Sequence, residues 1–135
     1  MSTMTVAEAE ARFATTVDEH LARDLEIPVS TGPQRQGDIL FVPAGTPATD
    51  PIPQAGYAVI RGENGGHTHA LHTATGEAFY TPSGRSEGRL GVLTVAEGST
   101  AVLAHPEHGF MAFGPGTYTV TRQREQADVI RSVSD

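Results

Sequence analysis

The sequence predicts a mainly β protein, a small antiparallel β-barrel or β-sandwich with one N-terminal α-helix. Short apolar segments recur after residue 37, and clusters of Gly and Pro separate them, as is typical of all-β domains. No helical pattern lies between these segments, so an alternating parallel β/α sheet is not expected. A length of 135 residues, 38% of them hydrophobic, suits one compact domain.

Residues 1–27 are predicted to contain the helix. Thr5 and Glu8 have the spacing of a capping box, in which the hydroxyl accepts an early amide proton and the carboxylate reaches back. The pattern ends near Leu25, and Pro28 would stop the helix. The helix would either cover one end of the β-domain or pack on a neighbouring subunit. Its apolar face would be formed by Val6, Ala9, Phe13, Val17 and Leu21.

Residues 28–37 are rich in turn-forming residues and are predicted to link the helix to a β-domain at 38–135. About seven to nine short strands are expected in that domain. In the last of them, the threonines would face one side, and Tyr118 and Val120 the other. The four prolines of residues 43–56 predict a loop or an edge segment. The clearest strands are 38–42, 57–61, 77–81, 89–95, 99–104, 110–113 and 117–123.

Charge and composition exclude several functional classes. The net charge is −7 and the chain has only nine basic residues, all arginines, so no nucleic-acid binding is expected. The absence of Cys excludes thiol redox chemistry and cysteine zinc sites, and it fits the cytoplasm. No apolar segment is long enough to span a membrane, and the N-terminus lacks the apolar core of a secretory signal. The expected partners are a homo-oligomer or other assembly through the N-terminal helix, and a small-molecule ligand.

Two short histidine clusters are the feature that most suggests chemistry. His67, His69 and His72 lie in GGHTHALH, and His105 and His108 lie in AHPEHG. Residues i and i+2 of a strand face the same side, so His67 and His69 would point together. His72 would join them only if a bulge followed His69. The proline between His105 and His108 bends the chain, which allows these two rings to converge.

We expect the two clusters to meet around one divalent metal ion. The ligands would be His67, His69, His105 and His108, with His72 as a further candidate. Zinc is the first expectation because neutral imidazoles satisfy it, and iron, copper, nickel and manganese also accept such ligands. Two alternatives stay open: hydrogen-bonded structural histidines, or a cluster that responds to pH.

Two charged residues near the histidines are further candidates. Glu107 is the catalytic candidate, as a general base, but it would also suit a metal ligand, an acceptor that orients an imidazole N–H, or a solvated turn carboxylate. Glu63 has the same alternatives. Arg124, at the end of the last predicted strand, would bind an anionic ligand or cofactor with two hydrogen bonds if that strand end lines a cavity. Otherwise Arg124 would form a surface pair with Glu125.

The HxH motif in a Gly-rich turn, followed by a later histidine, resembles the cupin superfamily. In cupins the first motif supplies two His and a Glu, and the second supplies another His. Gly62 and His67–His69 match the start of the first motif, in a resemblance that covers residues 37–125. The sequence departs from the pattern where Leu71–Thr73 replaces the expected Glu, and where the turn at Gly114–Gly116 follows the second cluster. The resemblance implies a small metal-binding β-barrel.

A second resemblance rests on the series RQGDILFVP, GENGGHTHAL, HPEHG and PGTYTVTRQRE. These segments are similar to a family of small uncharacterised bacterial proteins that share QGD, GHxH, HxEH and GxYxVxxQRE. This resemblance implies family membership and no particular activity.

Three functions are compatible with these observations. The first is a metal-binding β-domain in which the ion has a structural or ligand-binding role. The second is a metal-dependent enzyme, a hydrolase, isomerase or oxygenase, in which Glu107 or His72 would handle protons. The third is a non-enzymatic structural or assembly protein with incidental histidines. We expect the first function, with the metal-dependent enzyme as the main alternative.

Overall fold

A computed structural model describes residues 4–17, 23–62, 68–83 and 88–122. These residues form one short helix, α1 (Val6–Phe13), and ten strands. The strands are β1 (Val29–Ser30), β2 (Gln34–Gln36), β3 (Ile39–Pro43), β4 (Tyr57–Ile60), β5 (His69–Thr75), β6 (Ala78–Pro82), β7 (Arg89–Val95), β8 (Thr100–His105), β9 (Gly109–Phe113) and β10 (Gly116–Arg122). Within the described ranges, no helix has the length and apolar character needed to cross a membrane.

The strands form two five-stranded sheets. Sheet 1 has the order β1-β9-β8-β5-β4, and sheet 2 has the order β2-β3-β10-β7-β6. All pairings are antiparallel except that of β1 with β9. The described strands do not close into a barrel, so of the two predicted architectures the sandwich is observed. The barrel implied by the cupin resemblance is therefore not observed in the part of the chain that the structure describes.

The main core lies between the two sheets. Alternation along each strand places one face inward, as in β10, where Tyr118 and Val120 are buried between partly exposed threonines. The predicted sidedness of this strand is therefore confirmed. The largest fully buried side chains come from both sheets: Ile39, Phe41, Leu71, Leu93, Leu103, Phe113, Tyr118 and Val120.

A second, smaller core lies on the outer face of sheet 1. Ala9 and Phe13 of α1 pack there against Ala74, Val102 and Ala112. The capping box predicted at the start of α1 is present, because Thr5 accepts from the Glu8 amide and the Glu8 side chain accepts from the Thr5 amide. The helix therefore covers a sheet face of its own chain.

The helix is much shorter than the apolar period predicts. It ends at Phe13 because Ala14 adopts a left-handed conformation with φ 52°. The Glu10 carboxylate accepts from the Val17 amide and also binds the Arg23 side chain, which links the helix to the segment that begins at Arg23. The returning segment pairs with the start of the helix through hydrogen bonds from Val6 to Leu25 and from Ile27 to Met4. Leu21 lies outside the described residues.

The predicted linker at residues 28–37 contains two strands, β1 and β2. Val29 pairs with Ala112 at the edge of sheet 1, and Gln34 pairs with Phe41 at the edge of sheet 2. The segment was predicted as a linker because its residues are polar and turn-rich. Its strand structure comes from hydrogen bonds to distant segments, which local pattern does not show.

The proline-rich segment after β3 borders the free edge of β6. Ile52 donates to the Ala78 carbonyl at 3.1 Å, and Tyr80 donates to the Asp50 carbonyl at 2.8 Å. Pro51 forms an isolated bridge with Phe79. The segment predicted as a loop or an edge is therefore a loop that covers a sheet edge.

Candidate functional site: a histidine cluster at one end of the sandwich

Three histidines meet at one end of the sandwich. The ring centres of His69 and His105 are 4.1 Å apart, and those of His105 and His108 are 4.6 Å apart. His69 and His108 are separated by 5.9 Å. Among the histidines that the structure describes, His69 of the first cluster therefore lies with both histidines of the second.

Strand register explains this meeting. Ala70 of β5 pairs with Ala104 of β8, so His69 and His105 follow one step further along neighbouring strands. Both share the inward face with Leu71 and Leu103, because side chains two residues apart project to the same side. The turn between β8 and β9 then places His108 beside them.

The contact with Gln36 determines which ring nitrogen of His69 carries the proton. Gln36 donates from Nε2 to the Gly109 carbonyl at 3.3 Å, so its Oε1 atom is an acceptor. His69 Nδ1 lies 2.9 Å from that oxygen and must donate. In the neutral ring, Nε2 of His69 therefore carries a lone pair, which is the form that binds a metal or accepts a proton.

The His69 ring is neutral at physiological pH. Burial lowers its pKa to about 4, and repulsion from His105 and His108 in their protonated forms acts in the same direction. Asp38 opposes this shift but is itself paired with Arg122 at 2.9 Å. Burial alone would raise the Asp38 pKa, yet the hydrogen bond and charge of Arg122 lower it overall.

His105 contacts the backbone of the β8–β9 turn. Its Nδ1 atom accepts from the amides of Glu107 at 3.1 Å and His108 at 3.2 Å. A neutral ring that accepts at Nδ1 carries its proton on Nε2, so neither nitrogen offers a free lone pair in this arrangement. His105 therefore stabilises the turn that positions His108.

His108 is the exposed member of the cluster, and Gly37 lies directly against it. A Cβ atom added to Gly37 would lie 3.1 Å from His108 Nε2 and 3.6 Å from His69 Cε1. Gly37 has φ 60°, in the region that favours glycine. The β2–β3 turn thus approaches the cluster closely, and its backbone conformation favours glycine at this position.

The rings as placed are stacked and do not converge on one point. The planes of His69 and His108 differ by only 14°, so their nitrogens point along nearly parallel planes. In the described ranges, no group of three or more His, Asp or Glu side chains has the geometry to hold a metal ion.

His72 lies on the opposite face of the same sheet. Its ring stacks on Phe13 of α1 at 4.6 Å and lies against Gly56, where an added Cβ would be 2.5 Å from His72 Cε1. Burial lowers its pKa. Its Nε2 atom is buried with no hydrogen-bond partner among the described residues. No bulge returns His72 to the cluster, so it packs the helix against the sheet.

We expect His72→Leu to change how stability depends on pH. The folded protein holds the neutral His72 ring, whereas in the unfolded chain the ring takes up a proton below about pH 6.5. The contribution of His72 to stability is therefore intact above that pH and is lost as pH falls toward the folded-state pKa. At pH 7.5, His72→Leu should lower the free energy of unfolding by less than about 1 kcal/mol, because the substitution removes a buried polar atom that has no partner among the described residues.

Urea unfolding of both proteins at pH 7.5, 6.5, 5.5 and 5 measures this effect. As pH falls, the free energy of unfolding of the variant should rise relative to that of the wild type, by at most about 1.4 kcal/mol per pH unit. Comparing the two proteins at each pH cancels the contributions of other titrating groups. A difference that stays constant over the pH range would contradict the prediction.

The remaining predicted site residues are distributed as follows. Glu107 is exposed in the β8–β9 turn, and its amide donates to His105. Glu63, His67, Arg124 and Glu125 lie outside the described residues.

Sequence reasoning did not assign site roles to Gln36, Gly37, Asp38 or Arg122. The first three form the QGD motif, which was used only as a family signature. Their contacts with His69 and His108 join sheet 2 to sheet 1. Such contacts arise between segments that are distant in the sequence, so the QGD motif is the one signal in the sequence that pointed to these residues.

Comparison with protein-family models matches residues 35–123 to a domain of unknown function, DUF8820. The chain belongs to this family. Membership of an uncharacterised family, predicted from the motifs, is thereby confirmed. No curated protein and no solved structure matches the chain. The DUF8820 region includes the histidine cluster together with Gln36 and Arg122, whereas α1 lies before it.

Proposed function

We propose that the histidine cluster binds one divalent transition-metal ion, with zinc as the first candidate. The observation that carries this proposal is the orientation of His69, whose Nδ1–H donates to Gln36 and whose Nε2 keeps a lone pair. Metal-bound histidines commonly donate their other ring N–H to an oxygen acceptor in this way. A ring with a pKa of about 4 also meets little competition from protons at neutral pH.

His69 and His108 are the two proposed primary ligands. Two imidazoles bound to one ion at about 2.1 Å have ring centres roughly 5 Å apart, which is close to the 5.9 Å between these rings. His105 would contribute by holding the turn, because its Nδ1 accepts from two amides. His67, two residues before His69, is the proposed further ligand, and water or a bound molecule would complete the coordination.

The proposed role of the ion is structural or ligand-binding. His69 belongs to β5, His108 belongs to the β8–β9 turn, and Gln36 joins both to β2 of the other sheet. An ion held by these residues would cross-link segments far apart in the chain and would stabilise the folded state. An exposed ligand such as His108 also leaves a side of the ion open to a small molecule. We further propose a cytoplasmic location, which the lack of Cys supports.

Metal-free protein, prepared with a chelator, should bind one Zn²⁺ per chain with a Kd of about 1 μM or lower, equivalent to about 8 kcal/mol. Calorimetric titration measures the stoichiometry and affinity directly. Because the ion binds only the folded state, Zn²⁺ at a hundred times its Kd should raise the free energy of unfolding by about 2.7 kcal/mol. Thermal unfolding with and without Zn²⁺ measures this stabilisation.

A calcium titration is the matched control, because Ca²⁺ prefers oxygen ligands and should not bind. Ni²⁺ and Mn²⁺ titrations rank the other candidate metals. Folded protein that neither binds Zn²⁺ nor gains stability from it would refute the proposal, and the histidines would then be structural.

A further inference from the structure

A cavity of about 550 Å³ lies between α1 and the outer face of sheet 1. This is the size of cavity that holds small-molecule ligands. Three of the residues that line it have small side chains, Ala11 on the helix and Ala74 and Ala112 on the sheet. It is separate from the histidine cluster, which lies on the inner face of the same sheet.

One end of the cavity is polar and positively charged. The Arg12 guanidinium lines it and donates one hydrogen bond to the Ala74 carbonyl. The neighbouring residue, Thr75, pairs with Thr100 across β5 and β8, and both threonines also line the cavity. Arginine carries five N–H donors, of which the described contacts use one. A cation and two threonines therefore lie together at this end.

The rest of the cavity wall is largely apolar. Met4, Ile27 and Val29 form it together with Val102 and Ala112. Glu8 also lines the cavity, but its carboxylate is engaged in the capping box with Thr5. The Thr5 hydrogen bonds lower the Glu8 pKa, so this group stays ionised at the helix N-terminus, where the helix dipole favours it.

We propose that this cavity binds a small amphiphilic carboxylate. The carboxylate would pair with Arg12 and receive hydrogen bonds at the polar end, since guanidinium and carboxylate match in geometry and charge. The apolar part would lie between the helix and sheet 1, where its removal from water supplies most of the binding energy. The six lining residues from Met4 to Val29 precede the DUF8820 region, so the site would be formed jointly by this chain's N-terminal segment and that region.

Calorimetric titration with octanoate, in the presence of a chelator, tests this proposal independently of the metal site. Octanoate should bind one per chain, and octan-1-ol, which has the same chain length without the charge, should bind at least 10-fold more weakly. Arg12→Gln should weaken octanoate binding at least 10-fold. Ala11→Phe should abolish it, because the new ring would extend into the cavity from an exposed helix position.

Two matched controls accompany these variants. Arg89→Gln removes an exposed positive charge, and Ala7→Phe adds a ring at an exposed position of α1, and neither residue lines the cavity. Both should bind octanoate as the wild type does, and circular dichroism confirms that every variant is folded. The proposal is overturned if folded wild type does not bind octanoate, if octan-1-ol binds equally well, or if Ala11→Phe leaves binding unchanged.

Discussion

His69→Ala is expected to weaken Zn²⁺ binding by at least about 100-fold, because it removes a direct ligand, whereas loss of a supporting partner costs about 10–100-fold. His69 is the one described histidine whose free lone pair is fixed by a neighbouring acceptor. Calorimetric titration of the metal-free variant measures the change, and 100-fold corresponds to about 2.7 kcal/mol. Circular dichroism checks that the variant is folded.

His72→Leu and Gln36→Leu are the informative controls for this experiment. His72 lies on the other face of the sheet against Phe13, so its loss should leave zinc affinity unchanged. Gln36→Leu keeps His69 but removes its acceptor, and it should weaken binding by about 10-fold. If His69→Ala retained affinity within about threefold of wild type, the ion would bind elsewhere.

Phe113→Ala is expected to lower the free energy of unfolding by about 4 kcal/mol. Phe113 is fully buried between the sheets, with its ring 4.5 Å from that of Phe41 and 5.5 Å from that of Tyr118. Truncation removes these contacts and leaves a cavity that the surrounding strands can only partly fill. A loss of this size is a large part of the stability of a small domain.

Phe110→Ala is the matched control, because it makes the same change in the same strand on the opposite face. Phe110 is only partly buried, and the centre of its ring lies 6.5 Å from that of Phe13 in the helix. Its loss should cost about 1–2 kcal/mol. Urea unfolding of both variants gives the comparison. The packing implies that the core between the sheets contributes most of the stability. Equal losses of unfolding free energy in the two variants would contradict this.

Most of the β structure could be predicted from the sequence because each strand has its own apolar pattern. Ile39–Pro43 and Arg89–Val95, for example, are apolar segments bounded by turn residues, and they form β3 and β7 as expected. Strand β2 could not be predicted, since Gln34–Gln36 is polar and becomes a strand only by pairing with β3. The helix is shorter than its sequence pattern predicts because Ala14 adopts a left-handed conformation directly after Phe13, although the apolar period continues in the sequence.

The sequence predicted the two histidine clusters, but it could not predict how their rings are arranged or which atoms they contact. Spacing predicted that His67 and His69 would point together and that His105 and His108 would converge, and the strand register places His69 beside His105. Spacing could not show that His105 accepts from backbone amides, because that depends on how the β8–β9 turn folds. The contact of Gln36 with His69 joins residues 33 positions apart in different sheets, which no local pattern encodes.

The proline-rich loop over β6 has a consequence for how copies of this protein meet. An uncovered edge strand offers unpaired N–H and C=O groups to which another chain can add a strand. Here Ile52 and Tyr80 already use hydrogen bonds along that edge, and Pro51 brings no N–H of its own. This side of the molecule is therefore a poor template for intermolecular strand addition, which protects the protein from edge-to-edge aggregation.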